Sequence, residues 1–521
     1  MKRFVAVFAA LALANCAFGT DLIGVYQDAL KFDTQIREAD ATRMAAREAN
    51  PQAWAALLPQ ISGSFNRSVQ QEDSTEVFPY PGPNGAPELF AEPSVSHVNT
   101  HGYEVQLQQS VFSWANFAGL AQAHKKVAEA EATYRAAEED LIQRVATAYF
   151  NVLNAQDNLD AQQAALDAVT RQLDQANKRY EVGLIAITDV KEAQAAHDAA
   201  AAAVIAAKRT LANMEQALRE ITEQDYPMLA KPGDDMPLEL PKPADPGRWV
   251  SVSMDQNLNL VSARLAADVA RDQVSIAFGG HLPQISITAS HTVTNEQTDE
   301  SLAFAPFGVP VTLAPQPTFP FALQNNQIGL QVTLPIFSGG MTQSQVRQAQ
   351  YQWIAAKDQV QLVSRQTEHQ ARDAYNGVVS DVAQVQSLKQ GVVSAQVALK
   401  ATEAGYDVGT RTAVEVLQQR QLLVQAETNY AQAKYQYLLD IVQLREAAGT
   451  LDVNTLSQID RWLTVNQSTS TSPVTDATPD LAPTPGAAAQ PGGAASEQGI
   501  TPEPQSAPPP SRPGSTPPPR F

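Results

Sequence analysis

RYEVGLIAITDV at Arg179–Val190 is written again as GYDVGTRTAVEV at Gly405–Val416. Tyr180 corresponds to Tyr406, Val182 to Val408 and Gly183 to Gly409, at a constant separation of 226 positions. Other phrases repeat at nearly the same spacing: LPQIS at Leu58–Ser62 and Leu282–Ser286, VFS at Val111–Ser113 and IFS at Ile336–Ser338. A period this long, kept over several motifs, marks a fold made by duplication.

Around the repeated phrase the pattern is helical. Residues 115–182 contain no proline and only Gly119, and residues 341–408 are likewise free of proline. At about 1.5 Å per residue such helices reach roughly 100 Å. Proline-free stretches at 187–225 and 412–448 return from the Val-Gly phrases, so these phrases are expected to be tight turns between long antiparallel helices. Gly183 and Gly409 are their C-caps, where a positive φ favours glycine. Val416, Leu423, Tyr430, Tyr437 and Leu444 form a seven-residue comb on the last helix, flanked by Leu417, Val424, Ala431 and Leu438. That narrow seam is a coiled-coil signal.

Upstream of each long helix lies a shorter helical stretch, 21–57 and 251–280, ended by Pro59 and Pro283. Two strands follow it in each half. In QIGLQVTLPIF, Ile328, Leu330, Val332, Leu334 and Ile336 alternate with Gln327, Gly329, Gln331 and Thr333; YEVQLQQSVF and QISITAS show the same alternation, and QISGSF a weaker one. Strands of about ten residues with one apolar and one polar face suit a membrane barrel with lipid outside and water inside. On that reading Ile328, Leu330, Val332, Leu334 and Ile336 face lipid, and Gln331 and Thr333 face the lumen. The polar, proline-containing stretches 71–102 and 295–326 between the strands are read as external loops. Four strands cannot close a barrel, and lipid tolerates no open edge, so several copies must share one. The residues themselves leave two, three or four subunits open.

The N-terminus MKRFVAVFAALALANCAFG has a basic start, an apolar run and small residues at Ala17 and Gly19, the form of a secretory signal cleaved after Gly19. The single cysteine, Cys16, lies inside it, so the mature chain holds no disulfide; lipidation of Cys16 is the alternative, against which Asn15 stands where a small residue is wanted. No segment carries eighteen consecutive apolar residues. The organisation is therefore read as signal peptide 1–19, first repeat 20–225, proline-rich connector 226–250, second repeat 251–450, a C-terminal equatorial segment 451–465 and a disordered tail 466–521, which holds 14 of the 34 prolines. The fold class is α+β.

A net charge of −19 with only 17% charged residues argues against nucleic acid as a partner. There is no GxGxxG, P-loop, HExxH or GxSxG in a suitable setting and no mature thiol, so an enzyme is not indicated, and neither a cofactor nor a metal ion is expected. His97 and His101, four apart on a proline-rich loop, are the one weak metal pair. A structural coiled-coil protein of the cell envelope is the other competing class.

LPQIS, AYFNVLNAQDNL, RYEVGLIAITDV, GGMTQSQVRQAQY and GYDVGTRTAVEVL, collinear over residues 21–450, resemble the outer-membrane efflux protein (outer membrane factor) family of TolC type. The resemblance implies a homotrimer with a twelve-stranded barrel in outer-membrane lipid and a helical tunnel across the periplasm. It implies docking, through a periplasmic adaptor (membrane fusion protein), on inner-membrane RND, MFS or ABC transporters for drug efflux and type I secretion, the lipoprotein-type metal-efflux branch being an alternative. By position, Tyr406 and Arg411 resemble gating residues bonded to Thr188 and Asp189, Gln172 and Glu403 a further polar pair, and Glu415 an acidic ring at the entrance. Gln418 stands where a second carboxylate is usual in the family. Val182, Gly183 and Leu184, with Val408, Gly409 and Thr410, resemble the tips that adaptor hairpins grip.

Overall fold

The structure is a computed structural model that describes residues 20–464 apart from 83, 234–235, 305–310 and 313–319. The expected signal peptide and the tail 466–521 lie outside the described residues.

The first expected helix, 21–57, is three: α1 (Leu22–Phe32), α2 (Thr34–Arg47) and α3 (Ala49–Ala55). The break between α1 and α2 is made by Asp33, whose extended backbone lets its carboxylate accept from Ile36 N at 2.8 Å. Asn257 does the same in the second half, accepting from Leu260 N, so that 251–280 becomes α6 (Pro246–Gln256) and α7 (Leu258–Phe278) after β3 (Lys231–Pro232), with a 3₁₀ turn at Gly279–His281. Short polar caps end these helices where hydrophobic periodicity shows no stop.

The long helices run as read. They are α4 (Trp114–Glu181) and α5 (Ile187–Thr222) in the first half, α8 (Met341–Asp407) and α9 (Ala413–Ala447) in the second. Each pair forms an antiparallel hairpin, and α4 also packs on α9 and on α7.

Strands β1 (Gln60–Pro81), β2 (Pro87–Phe112), β4 (Gln284–Phe304) and β6 (Phe321–Thr333) make one antiparallel sheet in the order β1-β2-β4-β6, with the two-residue β5 (Val311–Thr312) at the end of β4. The stretch 71–102, read as an external loop, is corrected here, as are 295–304 and 321–326, which continue β4 and β6; 305–310 and 313–319 lie outside the described residues. The β1–β2 ladder continues from Gln60↔Gln108 to Pro81↔Pro87, and its turn closes through Gly82 N to Ala86 O at 2.8 Å. Beyond the apolar band both faces of a hairpin meet water, so alternation disappears although pairing continues. His97 and His101 accordingly sit on β2, opposite Gln71 and Arg67. A second correction concerns Leu334 and Ile336, which lie past the end of β6. Pro335 lacks the N–H that would extend the ladder.

Register sorts the sheet into two faces. Ile61, Leu107, Ala289 and Ile328 form one row across all four strands; the neighbouring row is Ser62, Gln106, Ser290 and Gln327. Near the helical end of the sheet, from Ile285 to Ser290 on β4, apolar rows thus alternate with polar rows, as lipid on one side and water on the other require. None of the described helices is long and apolar enough to cross a membrane.

The main core lies midway along the helical hairpins, where the chain ends and the connector wrap them. Tyr149, Phe150, Leu153, Tyr437 and Leu438 are fully buried there with Leu22, Leu456 and Ile459. Tyr149 donates to Ala230 O at 2.7 Å, and Tyr435 donates to Asp157 at 2.6 Å. The 226–250 connector is thereby tied down, and β3 pairs with β7 (Leu463–Thr464), which follows α10 (Val453–Asp460).

Two glutamates in this layer carry a pH dependence. Burial, then the nearby charge of Glu446, pushes the Glu139 carboxyl up from 4.5 to about 8. Glu446 rises to about 7 through burial and then Asp140. Both folded values exceed the unfolded one, so their contribution to stability is complete below the ordinary carboxylate range and is lost as pH rises through about 7 to 8. Glu446→Gln is therefore expected to raise the melting temperature at pH 8.5 and to leave it unchanged at pH 4, measured by thermal unfolding in detergent. Equal shifts at both pH values would contradict the buried pair.

Candidate functional site: the paired helix ends

Both long helices stop in the same way. After α4, Gly183 (φ 78°) donates to Tyr180 O at 2.9 Å and Leu184 donates to Arg179 O at 2.9 Å. After α8, Gly409 (φ 78°) donates to Tyr406 O at 3.0 Å and Thr410 donates to Gly405 O at 2.8 Å. These paired bonds satisfy the last carbonyls of each helix, and the left-handed conformation is why glycine recurs at that place. Val182, Leu184 and Val408 stand 70%, 72% and 75% exposed, so the two turns present apolar tips to solvent.

The returning helices begin differently. Ala186 caps α5 without a side-chain bond, leaving Asp189 in its first turn, where a carboxylate suits the helix dipole. Thr412 caps α9: its hydroxyl accepts from Glu415 N and donates to Glu415 Oε1 at 3.1 Å, a capping box. Glu415 Oε2 also accepts from Arg411 Nη1 at 2.8 Å, and that bond, ahead of the Thr412 contacts, holds the carboxyl below its ordinary range.

Above the tips, Gln172, Glu403 and Tyr406 line one cavity of about 260 Å³ with Asp407 and Arg420. The expected pair, Gln172 and Glu403, is thus brought together, and Tyr406 joins it without Thr188 or Asp189. Their bonds differ from the expected ones. Glu403 pairs with Arg420 at 2.5 Å, and both amide atoms of the Gln172 side chain are buried without a hydrogen-bond partner. Arg179 sits over the Tyr406 ring, 5.1 Å from its centroid, and approaches Asp407 at 3.8 Å.

Among the described residues no hydrogen bond joins Tyr406 or Arg411 to Thr188 or Asp189 within the chain. Arg411 lies one turn before Glu415 at the start of α9, so its carboxylate partner is on that helix rather than on α5. Gln418 is exposed on α9, three residues beyond Glu415. Sequence reading missed Arg179, Asp407 and Arg420. The first two carry opposite charges beside the repeated tyrosines, a signal that the quoted phrase contains; Arg420 has no counterpart in the repeat.

A membrane-type sheet with β1 and β6 as its outer strands, prolonged by long helical hairpins to gathered tips, is the architecture of an outer-membrane channel protein. The outer membrane efflux protein family matches residues 25–223 and 249–450, and the chain belongs to that family. It is 33% identical over 468 residues to outer membrane protein TolC of Vibrio cholerae, covering 89% of this chain and 99% of that protein. It is 28% identical to the alkaline protease secretion protein AprF of Pseudomonas aeruginosa, covering 85% of this chain and 87% of that protein. Among solved structures, the Campylobacter jejuni CmeC outer membrane channel superposes with a TM-score of 0.64 at 19% identity, over 85% of this chain and 89% of that one. The protein is an outer-membrane efflux channel with a periplasmic extension, and its family and relatives are channel proteins rather than enzymes.

Proposed function

We propose that three copies close a twelve-stranded barrel and that the trimer is a passive exit duct. It receives drugs, small molecules or proteins from inner-membrane RND, MFS or ABC transporters through a periplasmic adaptor. The observation that carries this reading is one sheet with continuous apolar rows and two outer strands, joined directly to helices of 68 and 67 residues. An open edge in lipid would leave backbone groups unpaired, and closure by neighbouring copies removes it. The AprF likeness supports type I secretion as one use of the duct, and the TolC likeness supports efflux.

The helix ends are proposed as the gate. Arg411, 61% exposed, bonds Glu415 through Nη1 and can offer its remaining N–H groups to Asp189 or Thr188 of a neighbouring hairpin, with Tyr406 as the second latch and Gln172 and Glu403 in the layer above. The tips Val182-Gly183-Leu184 and Val408-Gly409-Thr410 offer exposed apolar side chains to the adaptor's helical hairpins.

Purified trimer reconstituted into a planar bilayer is expected to give discrete conductance steps and, with the gate unengaged by an adaptor, small ones. It is also expected to hydrolyse no ATP above a matched blank, because the chain contains no phosphate-cradling loop. Absence of both a heat-modifiable, detergent-extracted oligomer and any conductance would favour the structural coiled-coil reading instead.

A further inference from the structure

We infer that Arg420 is a selectivity-determining residue of the channel. It cancels the charge of Glu403 at the constriction, so this channel discriminates between cations and anions more weakly than one with a bare carboxylate there. The inference rests on the proposed placement of the helix ends at the periplasmic entrance.

Arg420 leaves α9 in the seam where α4, α8 and α9 meet. It is 21% exposed, and its guanidinium bonds Glu403 of α8 at 2.5 Å. It lines two cavities, the one shared with Gln172 and Tyr406 and a groove of about 330 Å³ between the two hairpins. In the groove every other lining residue is uncharged, Gln162, Val169, Leu417 and Val424 among them. Arg420 is therefore held by one ionic partner, and the carboxylate of Glu403 faces the cavity with its charge already balanced.

The same compensation recurs at each acid of the α8 and α9 ends: Asp407 approaches Arg179 at 3.8 Å and Glu415 bonds Arg411 at 2.8 Å. Residues 170–190 and 403–420 together hold six acids and five bases, in a chain of net charge −19. Fixed charge in a narrow, low-dielectric passage focuses the field and sets which mobile ion enters. Where three symmetry-related carboxylates are each paired, little field remains to gather cations.

The test is the reversal potential of single trimers across a tenfold KCl gradient at low ionic strength, with block by a trivalent cation as a second reading. Arg420→Gln bares Glu403 and is expected to raise the cation-to-anion permeability ratio at least about threefold and to tighten block about tenfold. Glu403→Gln leaves the arginine unpaired and is expected to shift the ratio toward anions, while Arg420→Lys and the double variant Glu403→Gln with Arg420→Gln return it close to the parent value. These opposite signs would not follow from a role in packing alone, and trimers of Glu403→Gln or Arg420→Lys still decide the matter if Arg420→Gln fails to assemble. A reversal potential unmoved by both single neutralisations, in trimers that open when Arg411 and Tyr406 are replaced, overturns the inference and leaves the gate standing. If replacing Arg411 and Tyr406 also leaves conductance unchanged, the placement of the constriction fails and this inference falls with it.

Discussion

Arg411→Ser combined with Tyr406→Phe raises single-channel conductance severalfold. The effect adds over three copies. A charge-assisted bond contributes about 1.5–3 kcal/mol and a neutral one about 0.5–1.5 kcal/mol, so losing both in every subunit removes enough free energy to shift a gate built to yield to an adaptor. The substitutions are chosen for what they spare. Phenylalanine keeps the ring beneath the Arg179 guanidinium, and Arg411→Ser leaves the Thr412 cap on Glu415 in place. The helix ends therefore remain folded while their polar latches are lost. Planar-bilayer recording on material shown to be trimeric is the measurement, and unchanged conductance would put the gate elsewhere.

Ile328→Arg abolishes assembly, whereas Gln327→Arg does not. Ile328 stands 86% exposed in the central apolar row with Ile61, Leu107 and Ala289, and Gln327 lies in the polar row opposite Ser290. A charged side chain costs about 2–4 kcal/mol on the lipid face at the bilayer midplane and much less in a lumen. In a trimer the Ile328→Arg cost applies three times over. Heat-modifiable trimer in the outer-membrane fraction is the readout, and equal amounts from the two variants would reverse the two faces. Val332 and Thr333 offer the same contrast more weakly, because they end β6 near the boundary of the band.

Glu415 illustrates how an isolated residue misleads where a pair does not. As a letter in GYDVGTRTAVEV it stands for a carboxylate at an entrance; in the structure it belongs to a cap and an arginine. Gln418, standing where the resemblance implied a second carboxylate, and the three arginine pairs point the same way, toward weak charge at the entrance proposed above.

Duplication, the four long helices, their Val-Gly turns and the alternating cores of the strands were legible in the chain alone, because each rests on a local rule: helical reach without proline, positive φ at a C-cap, a period of two beside lipid. Tertiary structure decided what depends on partners distant in sequence. The outer parts of β1, β2 and β4 pair through backbone bonds that composition does not encode, so 71–102 and 295–304 read as loops. Asp33 and Asn257 split helices through single side-chain caps that periodicity does not register. At the site, Gln172, Glu403 and Tyr406 could be gathered by analogy of position, but a side chain's partner is the nearest complementary group in space. That is why Arg420 took Glu403, Arg179 took Tyr406 and Asp407, and Arg411 took Glu415.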